Sequence, residues 1–444
     1  MNGPYTATIR EIYVYLGYGV LAGSFFTLGI DFGTSGARAI AIDEAAQPQA
    51  QASVALTEQT AEAWRIALYD LLAQLPLTIR QQVRAIAING TSSTVLLCDP
   101  QGVPIREPLL YNDDRGAAVL GILEQLAPPQ HPVLSATSSL AKLMWWICQQ
   151  AIDSPGVKQQ ESARPYFLHQ ADWLGFLLHG QLGVSDYHNA LKLGYDVELL
   201  RYPDWMAHVP PAFQLPQVVT PGQAIAPVTA AIATQFHLPP TCTVHAGTTD
   251  SIAAFLASGA SQPGDAVTSL GSTLVIKLLS KTRVDDSRYG LYSHRLGDLW
   301  LVGGASNTGG AVLRQFFRDE ELQRYSDRID PHTSSPYQYY PLLKPGERFP
   351  INDPHLLPVL TPQPDDPVLF LHGLLEGIAR IEAQGYDLLQ RLGASPVTRI
   401  YTAGGGAHNP TWTLLRSRML PAPVLPAPHT EAAYGSALLA HMNS

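Results

Sequence analysis

Thr27-Leu28-Gly29-Ile30-Asp31-Phe32-Gly33-Thr34-Ser35-Gly36-Ala37-Arg38-Ala39-Ile40-Ala41-Ile42-Asp43 places a Gly-rich turn between two apolar runs. Short apolar runs bounded by Gly, Ser and Thr predict a β-hairpin. No helix follows the turn directly, so this is not a strand-to-helix phosphate loop. Neither GxxxxGK[ST] nor GxGxxG occurs where the P-loop or Rossmann mode would need it, and both modes are excluded.

Working outward, Ala63, Ile66, Ala67, Leu71 and Leu72 recur at helical spacing and predict a helix over Thr60 to Leu75. Val83 to Ile88 and Thr94 to Asp99 read as buried strands. Alternation of strand and helix predicts an α/β class. A helix follows from Ser138 to Ile152, whose Trp145 and Trp146 read as core packing, and another from Ala171 to Leu178, with Gly180 as its C-cap. Tyr202 to Pro240 is Pro-rich and reads as loop with short elements.

The turn chemistry of Ser261-Gln262-Pro263-Gly264-Asp265 suits a boundary. Directly after it, Ala266 to Leu278 repeats the strand, turn, strand pattern around Gly271-Ser272-Thr273. Two halves opening with the same device predict a duplicated architecture with a central cleft. The expected division is an appendage over 1–24, a first domain over 25–260 and a second over 261–444. Within the second, Gly303 to Gly310 precedes a helix, and a Pro-rich insertion runs from Pro331 to Pro367. A long helix from Leu371 to Leu392, a strand at Arg399 to Thr402, the turn Gly404-Gly405-Gly406 and a helix from Glu431 to Met442 complete it.

Composition narrows the function. The net charge is −9, which argues against a general nucleic-acid binder, and only six residues are lysine. With 46% hydrophobic and 15% charged residues the chain buries large cores. Cys98, Cys148 and Cys242 lack metal or redox spacing, so they read as small hydrophobes in a reducing, cytoplasmic setting. Ile12 to Ile30 is an uncharged run of 19 residues, long enough for a membrane span. Its last part is needed as the first hairpin strand, so no membrane partner is expected.

In Asp31 to Gly36, glycines let a backbone approach a polyanion, and Thr34 and Ser35 add hydroxyl donors. A carboxylate at the strand end can hold Mg²⁺ against phosphates. An ordinary hairpin explains that segment equally well on its own. The second hairpin and the Gly404 to Gly406 turn shift the balance to nucleotide binding. Asp250, in Gly247-Thr248-Thr249-Asp250-Ser251, can cap the helix from Ser251 onward. It can also take a proton from a substrate hydroxyl. The two roles are compatible.

Asp31 to Arg38, Gly247 to Asp250, Ser269 to Thr273, Gly404 to Asn409 and Tyr434-Gly435-Ser436-Ala437 follow the order and spacing of the FGGY carbohydrate kinases. The chain resembles that family from Phe25 onward. The resemblance implies two ribonuclease-H-like domains of the actin-like ATPase superfamily, with ATP and a sugar between them. It implies Asp250 as general base and Asp31 as the Mg²⁺-associated carboxylate. Gly33, Thr34, Ser35, Arg38, Gly271, Ser272 and Thr273 then belong to the phosphate loops, and Gly309, Gly310, Gly405 and Asn409 to the nucleotide pocket. His408 reads as an edge of the adenine site or as a solvated loop residue. Such a site binds ATP through backbone N–H groups and hydroxyls without a lysine cluster.

Asn89-Gly90-Thr91-Ser92-Ser93 stands where glycerol kinases carry Arg-Glu and xylulose kinases Gln-Met-His. That segment is similar to the D-ribulose kinase branch, which makes D-ribulose the expected substrate. Ser93, Asn112, Asp113 and Asp250 are the expected sugar contacts, with Asp113 and Arg115 as a surface ion pair the plain alternative. Lys142 matches a lysine of the xylulose kinase pattern and keeps D-xylulose, or a polyol, as the second choice. A non-kinase scaffold ATPase of the actin superfamily is the alternative from another class, but it requires neither Asp250 nor Asp113. Oligomeric state is left open.

Overall fold

The computed structural model describes residues 25–153 and 164–443. The appendage read at 1–24 lies outside the described residues. The chain divides into a first unit, residues 25–257 with 431–443, and a second unit, residues 258–430.

The first unit is built on a six-stranded sheet. β1 (Phe26–Phe32), β2 (Gly36–Ile42) and β3 (Pro48–Ala55) are antiparallel neighbours, and β4 (Val83–Gly90) runs parallel to β1. β5 (Val95–Cys98) pairs with β6 (Tyr166–His169), and β7 (Val184–Asp186) with β8 (Gln217–Val219), outside that sheet. β9 (Ala224–Pro227) closes the edge beyond β10 (Thr243–Thr249), which is parallel to β4. The order is β3-β2-β1-β4-β10-β9.

The second sheet repeats this plan. β11 (Asp265–Leu270), β12 (Leu274–Ser280) and β14 (Leu299–Ala305) are antiparallel neighbours, with β13 (Tyr292–Leu296) beyond β14. β15 (Arg399–Ala403) and β16 (Val424–Pro426) continue parallel on the other side of β11. Each sheet thus contains three antiparallel strands followed by two parallel ones, the ribonuclease-H-like arrangement twice over, with one further antiparallel strand at an edge, β9 in the first and β13 in the second. The two predicted hairpins are β1–β2 and β11–β12.

Local chemistry explains the elements. The helix Ala61–Gln74 starts where the Thr60 hydroxyl accepts the Ala63 N–H (3.2 Å) and stops before Pro76, which disfavours helix in its neighbour Leu75. Its buried face, including Trp64, Leu68, Leu71 and Leu72, packs on β2 and β3. Each such side chain withdrawn from water contributes about 1.5–3 kcal/mol. Gly180 caps the helix Gln170–His179 with φ 73°. Trp146 is core as expected, whereas Trp145 is only partly buried, under the Arg115 guanidinium 4.8 Å from its ring. Cys98 and Cys242 are buried thiols, pushed up to about 12 by desolvation, and Cys148 is half-buried.

Three expectations are corrected. The chain was expected to stay in the second domain to residue 444, but the helix Ala432–His441 packs on β1, β4 and the helix Asp250–Ala257 of the first unit. Small residues permit the close approach. A Cβ on Gly29 would lie 1.9 Å from the Ala433 carbonyl oxygen, and one on Gly435 1.8 Å from that of Ala253. Second, the helix expected from Ser251 begins at Asp250 itself. Third, the long helix expected from Leu371 to Leu392 runs from Pro367 to Arg391, and several elements, β3 and the helix Pro410–Met419 among them, were not read from the sequence. Among the described residues no helix is long and apolar enough to cross a membrane.

A buried fork holds the second unit. Arg416 donates to both carboxylate oxygens of Glu382 (2.7 Å each) and to Thr402 Oγ1 (2.8 Å), and neither charged side chain is exposed. Thr268 also donates to Glu382. Removing one partner strands a buried charge, at about 3–5 kcal/mol. Arg416→Met is therefore expected to lower the Tm markedly, read by calorimetry. A wild-type Tm would show that the fork contributes little.

Candidate active site

In open α/β sheets, ligands bind beyond the carboxyl ends of parallel strands. β1, β4 and β10 are parallel neighbours, and their register sets Asp31 beside Asn89, Asn89 beside Thr248, and Gly90 beside Thr249. Asp250 follows at the next position. The two carboxylates thus flank the end of β4, about two strand spacings, or roughly 10 Å, apart.

Asp31 is largely withdrawn from solvent. Burial, and then the negative charge of Asp250, push its carboxyl up to about 7. Arg38, its cross-strand partner, opposes the shift, and Glu431, 3.3 Å from Arg38, adds to it. At the hairpin tip, Gly33 N–H donates to Gly36 O (3.0 Å) and the Gln59 amide donates to Thr34 O (2.7 Å). The residues Thr34 and Ser35 themselves are exposed. Asp250 Oδ1 accepts the N–H of Ser251 (2.7 Å).

Beyond β4 the chain makes a tight turn. Ser93 is buried with φ 64°, a left-handed conformation that costs a non-glycine residue about 1–2 kcal/mol. Its hydroxyl has no hydrogen-bond partner among the described residues. Its carbonyl accepts from Lys142 Nζ (2.7 Å), which also donates to Leu110 O (2.6 Å). Leu110 O takes the Asp113 N–H as well (2.9 Å). One buried ammonium therefore ties the turn bearing Ser93 to the turn bearing Asp113. Burial pushes Lys142 down to about 7, opposed by Asp113 and reinforced by Lys192 and Arg115.

The plain reading of Asp113 is realised in part. Its Oδ1 accepts from Arg115 Nε (2.8 Å) and N–H (3.1 Å), while Oδ2 accepts nothing from the described residues. Asn112 is exposed. Four buried polar atoms at the ends of β4 and β10 lack partners among the described residues: Asn89 Oδ1, Ser93 Oγ, Gln170 Nε2 and Thr249 Oγ1. Buried polar groups are nearly always hydrogen-bonded, so each of these atoms is open to a hydroxyl-bearing ligand. Asn89 faces the helix Ala432–His441, to whose Ser436 it donates, and Gln170 lies on the other face, against Gly90. Gln170 and Thr249 were missed in the sequence. The available signal was the polar His169-Gln170 pair set between two apolar runs.

In the second unit three Gly-rich segments meet at the ends of β11, β14 and β15. Gly310 N–H donates to Gly271 O (2.9 Å), Ala311 N–H to Ser272 O (3.1 Å) and Leu274 N–H to Thr308 O (2.7 Å). A Cβ at Gly309 would sit 2.6 Å from Ser272 O, so only glycine fits. Ser272, Thr273 and Gly405 are exposed, and a Cβ on Gly405 would meet nothing within 4 Å. That surface can receive a polyphosphate and a flat base. His408 is exposed beside it. Asn409 is committed to the fold: Oδ1 caps the helix Pro410–Met419 at Trp412 N–H (2.9 Å), and Nδ2 donates to Ser326 Oγ (2.8 Å). These two bonds fix the orientation of its side chain and leave one N–H of Nδ2 and one lone pair of Oδ1 over.

Among the described residues no group of three or more His, Cys, Asp or Glu side chains is placed to hold a metal. Mg²⁺ needs no such cage, since one or two carboxylates plus phosphates and water complete its octahedron. Asp31, a half-buried hard-oxygen donor at the end of β1, fits that use.

The chain matches the model of the FGGY family of carbohydrate kinases, N-terminal domain, over residues 26–257, and the C-terminal domain over residues 266–444. It is 23% identical over 457 residues to the xylulose kinase of Staphylococcus epidermidis, covering 93% of this chain and 87% of that one. Identity to the gluconokinase of Bacillus subtilis is 21% over 460 residues, covering 93% and 86%. The xylulose kinase structure from Rhodospirillum rubrum superimposes with a TM-score of 0.78 at 23% identity, covering 94% of this chain and 89% of that one. At that identity the structural likeness speaks for the fold.

Proposed function

The chain belongs to the FGGY family of carbohydrate kinases, and from that premise we propose that this ATP-dependent sugar kinase phosphorylates a pentulose, D-ribulose in preference, with Asp250 as general base. The observation that carries the reading is the set of unpartnered buried polar atoms at Ser93, Gln170 and Thr249, around the strand ends that Asp31 and Asp250 flank. A neutral polyol supplies both donors and acceptors to such a set without adding charge.

In the reaction, an Asp250 carboxylate oxygen takes the proton of the acceptor hydroxyl as that oxygen attacks the γ-phosphorus. The bond from phosphorus to the bridging oxygen breaks, and ADP leaves. The protonated Asp250 then releases its proton to solvent. Thr34 and Ser35, exposed at the hairpin tip, offer hydroxyls to the phosphates. Asp31 would hold Mg²⁺, which would supply charge neutralisation at the phosphates. Positioning, charge neutralisation and a base suffice for phosphoryl transfer.

The preference for D-ribulose rests on Asn89 to Ser93, small and hydroxyl-bearing where the xylulose kinase pattern has Gln-Met-His. D-Xylulose is the second reading, favoured by the xylulose kinase of Staphylococcus epidermidis among the relatives and by Lys142. A panel of pentuloses, polyols and gluconate with ATP and Mg²⁺, read as ADP release and product mass, tests both. Fastest turnover of D-ribulose supports the first reading and fastest turnover of D-xylulose the second. No acceleration by any sugar removes the proposal.

Asp31 adds a pH prediction. Its carboxyl titrates near 3.8 when unfolded and about 7 when folded, so the folded chain holds the extra proton between those values. Stability from this group is fully present below about pH 4 and lost as pH rises through about 7. Without Mg²⁺ at pH 8, Asp31→Asn is expected to raise the Tm by about 2–5 °C, and with ATP and Mg²⁺ present it is expected to abolish sugar-dependent turnover. An unchanged Tm would contradict the buried charge.

A further inference from the structure

We infer that Gln170 donates a hydrogen bond from Nε2 to a hydroxyl oxygen of the sugar and helps determine which sugar is accepted. This rests on the sugar-kinase reading of the same site.

Gln170 opens the helix Gln170–His179 directly after β6, and its side chain is buried at 1% exposure. Oε1 accepts the backbone N–H of Thr91 (3.0 Å) and faces the Thr91 hydroxyl (3.2 Å). A backbone N–H can only donate, so the amide must turn its oxygen to Thr91, and its nitrogen to the other side. The orientation of the amide therefore follows from its partner. Nε2 carries two N–H donors, is withdrawn from solvent, and finds no acceptor among the described residues. Leaving a buried donor unmet costs about 1–3 kcal/mol, so a group held this way is kept for something.

Position says for what. A Cβ on Gly90, the last residue of β4, would lie 2.8 Å from Gln170 Oε1, so the amide rests against the strand end flanked by Asp31 and Asp250. Ser93 Oγ, unpartnered in the same turn, can give or take a hydrogen bond. A sugar hydroxyl can accept from Nε2 and donate to such an oxygen at once, whereas a carboxylate or phosphate can only accept. The match is to the neutral substrate.

Gln170→Glu tests this cleanly, because it keeps the acceptor for Thr91 and the carbon skeleton while removing the NH₂ donor. The KM for the preferred pentulose is expected to rise about 10–100-fold with the KM for ATP changed far less, and the Tm to fall somewhat, since the new carboxyl group is buried. Single-deoxy sugars sharpen the readout. The analogue that costs the wild-type protein most should cost the variant little further, since the lost hydroxyl and the lost donor are one interaction. A variant with wild-type sugar KM and an unchanged deoxy profile overturns the inference while the kinase reading stands. No sugar dependence in the wild-type protein overturns both. Should Gln170→Glu fail to fold, a crystal structure of the wild-type protein with the sugar decides: Nε2 on a sugar hydroxyl supports the inference, and Nε2 on water alone overturns it.

Discussion

Asp250→Asn is expected to lower sugar-dependent ADP release by about 10²–10⁴-fold, the usual contribution of a positioned general base. Asn keeps the size of the side chain and an oxygen for the Ser251 N–H, which Asp250 Oδ1 accepts at 2.7 Å. The helix Asp250–Ala257 should therefore form as before, and the Tm should stay within about a degree or two. What Asn cannot do is hold the proton of the attacking hydroxyl. The loss should fall on kcat, with the sugar KM changed far less, because the polar groups of Ser93 and Gln170 are intact. An additional effect works through Asp31, whose carboxyl is raised partly by the charge of Asp250. With that charge gone, Asp31 should ionise at lower pH and the pH limb of Mg²⁺ dependence should move down. A variant retaining wild-type kcat would exclude Asp250 as the base.

The largest stability effect is expected from ending the chain at Thr430. The removed helix Ala432–His441 buries Ala433, Tyr434, Ala437, Leu439 and Ala440 against the first unit. Ser436 Oγ takes the Asn89 amide (2.8 Å), and Tyr434 donates to Ala46 O (3.0 Å). Losing these side chains from the core costs about 1.5–3 kcal/mol for each large one, against a whole-domain stability of about 5–15 kcal/mol. The first unit should fail to fold, seen as loss of its near-ultraviolet circular dichroism and protease resistance. The second unit, residues 258–430, keeps its own core and its Glu382–Arg416 fork. It should remain the resistant fragment. A truncated chain with two intact units would contradict the packing described above.

Both hairpins were legible because Gly-Ser-Thr turns between apolar runs mark local structure, and β1–β2 and β11–β12 need nothing else to be recognised. The helix at 61–74 was legible for the same reason, having Thr60 before it and Pro76 after it. Long-range choices were not. The last helix looks alike whichever sheet it covers, and only the paired small residues Gly29 and Gly435 select the first. β3, Pro-Gln-Ala-Gln-Ala-Ser-Val-Ala, is an exposed edge strand with little apolar signal. At the site, Asp31 and Asp250 were found through motifs, whereas Gln170 was hidden because its importance lies in a bond to Thr91, 79 positions away. Asn409 shows a role its motif did not announce: its amide also caps the Pro410–Met419 helix and donates to Ser326.

The returning helix also bears on how the protein is made. A ribosome delivers the strands of the first sheet early and their covering helix last, after about 170 further residues of the second unit. At roughly 5–20 residues per second, the face of β1 and β4 that receives it waits on the order of 10–30 s. During that interval the nascent chain presents Gly29 and its apolar neighbours uncovered, a target for chaperones or for a neighbouring nascent chain. The half that is synthesised first is thus the half that matures last, and stop codons or frameshifts near the end of the gene should be as damaging to it as changes at its beginning.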